Sequence, residues 1–169
     1  QHQMVTSRYY KFQKTLSCIT SGGLGTMGFA LPAAMGAKVG QPSRTVIAVI
    51  GDGGFQMTIQ ELGTIKQSNL AVKILILNNN FLGMVRQWQQ LFFEKRYSFT
   101  ELDNPDFQMI TRGYGIKSQK VDKREHLDQA IGDWLNSDGP ALLEVVVENE
   151  ENVFPMVPSG ASVSDIRLD

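Results

Sequence analysis

The chain has 169 residues, 42% of them hydrophobic and 20% charged, which is enough apolar material for the core of one domain. A net charge of −1 and a pI near 6.2 leave no electrostatic footprint for nucleic acid or an anionic membrane surface, so neither is expected as a partner. The single cysteine, Cys18, excludes an internal disulfide, and no apolar run approaches the ~20 residues that span a bilayer.

Gln1 to Phe12 places Met4, Arg8, Tyr9 and Phe12 at helix-compatible spacing, with nothing that reads as a signal peptide, so a cytoplasmic location is expected. Taken alone, His2 reads as a solvated surface residue. A basic stretch through Lys14 leads into Leu16–Ile19, expected as a short strand with Cys18 as a small buried apolar residue on it. Thr20 to Gly28 (TSGGLGTMG) is glycine-dense, which signals close backbone approach or unusual dihedrals. It is either a flexible loop or a rigid one held against a ligand. The Ala-rich helix that follows, packed through Ala33, Ala34, Gly36 and Ala37, favours rigidity. On composition alone Met27 is a gap-filling residue.

Val46–Ile50 and Val72–Leu77 are short, β-branched and bounded by turn residues, so both read as buried strands. Between them Thr58–Ser68 carries Ile59, Leu62 and Ile65 at helical spacing, with Thr58 and Glu61 as a capping box. This is a β-α-β unit of parallel strands, which places polar ligands at the strands' carboxyl ends. Asp52 follows the first strand and Asn78, Asn79 and Asn80 follow the second. One carboxylate with amide and carbonyl oxygens is a hard-oxygen set suited to Mg²⁺. Gly51, Gly53 and Gly54 leave backbone N–H groups free to approach a phosphate. The competing reading is a tight βα turn, with the asparagines capping the next helix.

Beyond that loop, Met84, Trp88, Leu91 and Phe92 share one helical face; Leu91 and Phe92 read as core, while Met84 and Trp88 are placed to line a pocket. Glu94–Thr100 is expected as a loop or short helix, and Phe107–Gly113 as a helix with Pro105 at its start. Ile116–Val121 reads as a strand, and Asp122 as the cap of a helix over Lys123–Asn136. Gly139-Pro140 ends that helix and Ala141–Val147 is the last buried strand. The fold class is α/β, a three-layer domain with a mostly parallel sheet of about five strands flanked by helices.

Gly51-Asp52-Gly53, followed one β-α-β unit later by Asn78-Asn79, resembles the diphosphate–Mg²⁺ motif of thiamine diphosphate (ThDP) enzymes. TSGGLGTMGFALPAA (Thr20–Ala34), GDGGFQMTIQEL (Gly51–Leu62) and ILNNNFLGMVRQWQQLFFEKRY (Ile76–Tyr97) are similar to the catalytic subunits of acetolactate synthases. The likeness runs from QHQM at the start to FPMVPSG near the end.

The resemblance implies that residues 1–169 form a single C-terminal diphosphate-binding domain, with the family's pyrimidine-binding and middle domains expected upstream and outside this chain. It implies Mg²⁺ held by Asp52, Asn79 and the main-chain carbonyl of Phe81. Gln1, His2, Gly53 and Gly54 would meet the diphosphate; Gly54 stands where many relatives carry Ser, so a hydroxyl contact is lost. The Gly25 carbonyl would accept from the cofactor's 4′-amino group, Met27 would wedge the cofactor into its bent shape, and Met84 would flank it. Trp88 would lie beside the 2-oxo acid. The activating glutamate is not in this chain, and Asp52 is a metal ligand, not a base. FAD belongs to the middle domain and is not expected here.

The implied reaction condenses two pyruvates, or pyruvate with 2-oxobutyrate, with loss of CO2, in branched-chain amino-acid biosynthesis. Implied partners are the 2-oxo acids, a second copy in at least a homodimer, and a small regulatory subunit. The tail is expected to help cover the site. The alternatives are another ThDP carboligase, decarboxylase or oxidase, and a non-catalytic binding or assembly module. The isolated chain is expected to fold but to be inactive.

Overall fold

The two β-branched runs form the first two strands of a sheet: β1, Val46–Gly51, and β2, Val72–Asn78. The structure, a computed structural model, describes residues 1–168. β3, Lys117–Val121, and β4, Ala141–Val146, complete the sheet in the order β1-β2-β4-β3, with every neighbouring pair parallel. Helices α1 (His2–Tyr9), α2 (Ala30–Gly40), α3 (Asp52–Gln56), α4 (Glu61–Gln67), α5 (Gly83–Phe92), α6 (Phe107–Gly113) and α7 (Leu127–Asn136) surround it.

Side chains alternate across a strand, so the two central strands, β2 and β4, feed two cores. Ala48, Ile50, Ile74, Ile76 and Leu142 pack with Leu31 of α2, Leu62 and Ile65 of α4, and Phe107 of α6. Leu75, Leu143 and Val145 point the other way, where Ala130 and Trp134 of α7 cover them. This is the expected three-layer α/β arrangement. Register sets Gly51 beside Leu77 and Asn78 beside Val146, so the carboxyl ends of β1, β2 and β4 lie together.

Several local expectations are corrected. The sheet has four strands among the described residues, because Leu16–Ile19 forms none. Leu16 is 89% exposed and left-handed, and Cys18 is exposed too, so neither is held by a ladder or a core. No capping box forms at Thr58, whose hydroxyl instead donates to the Gly28 carbonyl at 3.0 Å; α4 starts later, at Glu61. Asp106 rather than Pro105 starts α6, its side chain accepting from Met109 N at 2.8 Å. Asp122 caps nothing: a 3₁₀ turn over Arg124–His126 precedes α7, and neither has a side-chain cap. Glu94–Thr100 forms a loop, one of the two forms expected for it, with Glu94, Lys95 and Phe99 left-handed.

The largest correction concerns α5. Leu91 and Phe92 are only half-buried, and the enclosed residues are Arg86 and Gln87, at 2% and 0% exposure. Their partners lie in the tail. Gln87 accepts from Val153 N at 2.9 Å and donates to its carbonyl at 3.1 Å, while Arg86 donates to Asn152 Oδ1 at 2.8 Å. Arg8 of α1 donates to the carbonyls of Phe154 and Pro155. Residues 152–155 therefore strap α1 to α5, which turned the polar face of α5 inward against what its apolar pattern alone implies.

Candidate functional site

Asp52 stands directly after β1 and begins α3, so the expected Gly-Asp-Gly-Gly turn is the first turn of a helix. Its carboxylate is 1% exposed. Asn104 Nδ2 donates to Asp52 Oδ2 at 2.7 Å, and the backbone N–H groups of Gly53 and Asn80 also bond it. No cationic side chain pairs with it among the described residues. Burial consequently raises its pKa above the ordinary aspartate value despite those hydrogen bonds.

The second strand end wraps this carboxylate. Asn78 Oδ1 and Asn80 Oδ1 lie 3.1 and 2.9 Å from Asn104 Nδ2, the nitrogen that also meets Asp52. Three oxygens from two strand ends thus converge on one donor that has only two hydrogens. Asn80 takes the left-handed conformation that bends the loop, at φ 55°, and accepts Leu102 N through its carbonyl at 2.8 Å. Asn79 takes no part in those bonds. Its Oδ1 accepts from Phe81 N at 3.2 Å and its amide donates to Gln1 Oε1 at 2.7 Å. Phe81 bridges Glu101 through bonds made by Leu82 and Leu102, so its own carbonyl stays outside the pairing.

The glycines are needed, but chiefly because the protein's own side chains fill the space. A Cβ on Gly83 would lie 1.9 Å from Gln1 Oε1, and one on Gly51 would lie 2.9 Å from His2 Nδ1. At Gly53 the same atom would meet Leu82 Cδ2 at 2.8 Å, with Leu102 and the Met27 methyl close behind. Gln1, His2 and Met27 are therefore brought against the strand-end loops. His2 is half-buried rather than a fully solvated surface residue, and burial pushes its imidazole down to about 4. Gly54 is buried against Ile50, and Gly25, at φ 63°, lies in an exposed loop held by its own N–H to Ser21.

Trp88 stacks on Phe92 at 4.8 Å between ring centres and lines an open cavity of about 430 Å³ with Val85, Gln89, Phe93 and Arg96. Met84, half-buried, sits in the first turn of α5 next to the asparagine loop. Asn104 is the residue missed by reading the sequence. Asn104 precedes Pro105, read as the start of a helix, and nothing in its spacing to Asp52 signals that one amide joins both strand ends.

This donor set fits a divalent cation. A desolvated carboxylate without a cationic partner, facing amide oxygens, is the hard-oxygen chemistry of Mg²⁺.

Residues 1–145 match the family described as thiamine pyrophosphate enzyme, C-terminal TPP binding domain. The acetolactate synthase isozyme 2 large subunit of Escherichia coli (strain K12) is 52% identical over 167 residues, covering 98% of this chain and 30% of that protein. The mitochondrial acetolactate synthase of Schizosaccharomyces pombe is 50% identical, over 99% of this chain and 25% of that one. The acetolactate synthase large subunit of Lactococcus lactis is 47% identical, over 95% and 28%. Among solved structures, the thiamine diphosphate-dependent 4-hydroxybenzoylformate decarboxylase of Rhodococcus jostii RHA1 superposes with a TM-score of 0.69 at 34% identity, over 75% of this chain and 24% of that chain. The chain spans less than a third of the length of the relatives it matches.

Proposed function

This chain belongs to the thiamine pyrophosphate enzyme family, and from that premise we propose that it is the diphosphate- and Mg²⁺-binding domain of an acetolactate synthase catalytic subunit. The observation that carries the reading is Asp52, a carboxylate buried without a cationic partner where two parallel strands end. Bound ThDP supplies an electron sink for decarboxylating a 2-oxo acid. The chain's own residues bind and orient. Asp52 brings the one negative charge, with Asn79 and the Phe81 carbonyl as further ligands, and Gln1, His2, Gly53 and Gly54 lie on the diphosphate side. Gly25, Met27 and Met84 form the cofactor wall, and Trp88 with its cavity receives the 2-oxo acid.

The substrates proposed are pyruvate with a second pyruvate or 2-oxobutyrate. Relatives named as large or catalytic subunits support a small regulatory partner, and at least a homodimer is proposed. FAD is proposed to bind outside this chain. No helix of the described residues is long and apolar enough to cross a membrane. The location proposed is cytoplasmic, although some relatives are named for mitochondria or chloroplasts.

The test is acetolactate formation by the intact parent protein given pyruvate, ThDP and Mg²⁺, alongside calorimetry of ThDP and Mg²⁺ into this chain. Acetaldehyde without acetolactate would favour a decarboxylase, the reading supported by the Rhodococcus structure. Full turnover by the chain alone would show that the activating carboxylate lies within it.

A further inference from the structure

Among the described residues Glu144 on β4, at 2% exposure, is a buried carboxylate besides Asp52. It is the register partner of Ile76 on β2 and so shares a sheet face with Asn78, two residues further on. Its two oxygens take different donors. Oε1 accepts from Asn78 Nδ2 at 2.8 Å and Oε2 from Gln108 Nε2 of α6 at 2.8 Å. Lys120, half-exposed on β3, reaches Oε1 at 3.4 Å and offsets the charge.

An asparagine amide can be turned either way, and its partners decide which atom points where. Because Glu144 takes the Asn78 NH2 group, Asn78 Oδ1 must face the loop. There it accepts from Asn80 N at 3.0 Å and from Asn104 Nδ2 at 3.1 Å. Asn104 in turn holds Asp52 Oδ2 at 2.7 Å. A reversed Asn78 would set its NH2 group against two donors and open the loop around Asp52.

We propose that Glu144 is a positioning residue for the divalent-cation end of the site: the relay Glu144–Asn78–Asn104–Asp52 holds the strand-end oxygens in place from across the sheet. This rests on the functional reading given above. The role requires an acceptor at position 144, not a charge. Glu144→Gln should preserve it, because Gln108 Oε1 is buried without a partner and can rotate to accept from the new amide. Glu144→Leu keeps the volume and removes the acceptor.

The experiment uses the intact parent enzyme stripped of cofactor, and follows thermal unfolding against Mg²⁺ at saturating ThDP. Partners that orient metal ligands typically alter metal affinity by 10- to 100-fold. Glu144→Leu should therefore raise the Mg²⁺ concentration for half-maximal stabilisation roughly tenfold or more, and Glu144→Gln should stay within about threefold of wild type. Adding Glu144→Leu to Asn78→Ala should cause no further rise, because both cut one relay.

An unchanged Mg²⁺ requirement in Glu144→Leu overturns the proposal. So does an equal rise in the Gln and Leu variants, which would mark a long-range charge effect, or additive rises in the double variant. If Glu144→Leu does not fold, Asn78→Ala alone must raise the requirement about tenfold, and no rise there overturns the proposal. Wild-type enzyme unaffected by Mg²⁺ and ThDP would overturn the functional reading, and the relay's role with it.

Discussion

Replacing Asn104 with alanine should destabilise the chain although it removes no apolar surface from the core. The amide bonds Asp52, Asn78 and Asn80, and its oxygen accepts from Gln56 Nε2 at 2.7 Å. With two hydrogens for three acceptors, two full bonds are lost on the amide nitrogen's side; the third, at the oxygen, is to the exposed Gln56 and water replaces it. One goes to an ionised carboxylate, worth about 1.5–3 kcal/mol, and one to a neutral amide, worth about 0.5–1.5 kcal/mol. Asn80 is exposed and water replaces part of that loss, which leaves about 2–3 kcal/mol. For a chain of this length that is a fall in Tm of roughly 5–10 °C. Thermal unfolding of the cofactor-free chain at neutral pH, followed by circular dichroism, measures it. Asn104→Asp should fall further without metal, because a second carboxylate would lie against Asp52, and should recover more than the alanine variant on adding Mg²⁺. A Tm for Asn104→Ala within 2 °C of wild type, or a metal-free Asn104→Asp more stable than wild type, would refute the argument.

Asp52→Ala in the parent enzyme should abolish acetolactate formation at ordinary Mg²⁺ and ThDP concentrations; normal turnover with the usual cofactor requirement would remove Asp52 from the metal site. Trp88→Leu should change the preference between pyruvate and 2-oxobutyrate by roughly 1–3 kcal/mol, read as a product ratio in competition, with cofactor affinity nearly unchanged. His2, pushed down to about 4 from its ordinary 6.5 by burial, leaves the unfolded chain binding more protons across that window. Stability should therefore be level above about pH 6.5 and fall by about 1–3 kcal/mol as the pH drops towards 4. Urea titrations of wild type and His2→Asn should show this slope only in the former.

Sequence pattern determined the three-layer class, strands β1, β2, β3 and β4 to within a residue, and the β-α-β unit that sets Asp52 against the asparagines. Those features follow from local periodicity and from β-branched runs with only one way to be buried. The relation of Asp52 to Asn78–Asn80 was legible because parallel strands joined by a short crossover must end side by side. What pattern could not show is contact between segments far apart in sequence. Asn104 reaches Asp52, Glu144 reaches Asn78, and Asn152 and Val153 bind the polar side of α5. In each case a polar side chain is buried because a distant donor or acceptor satisfies it, and residue type alone predicts the opposite. Leu16–Ile19 fails for the converse reason. Its apolar residues suit a strand, yet no neighbouring strand pairs with them, and a strand exists only where another backbone accepts its hydrogen bonds.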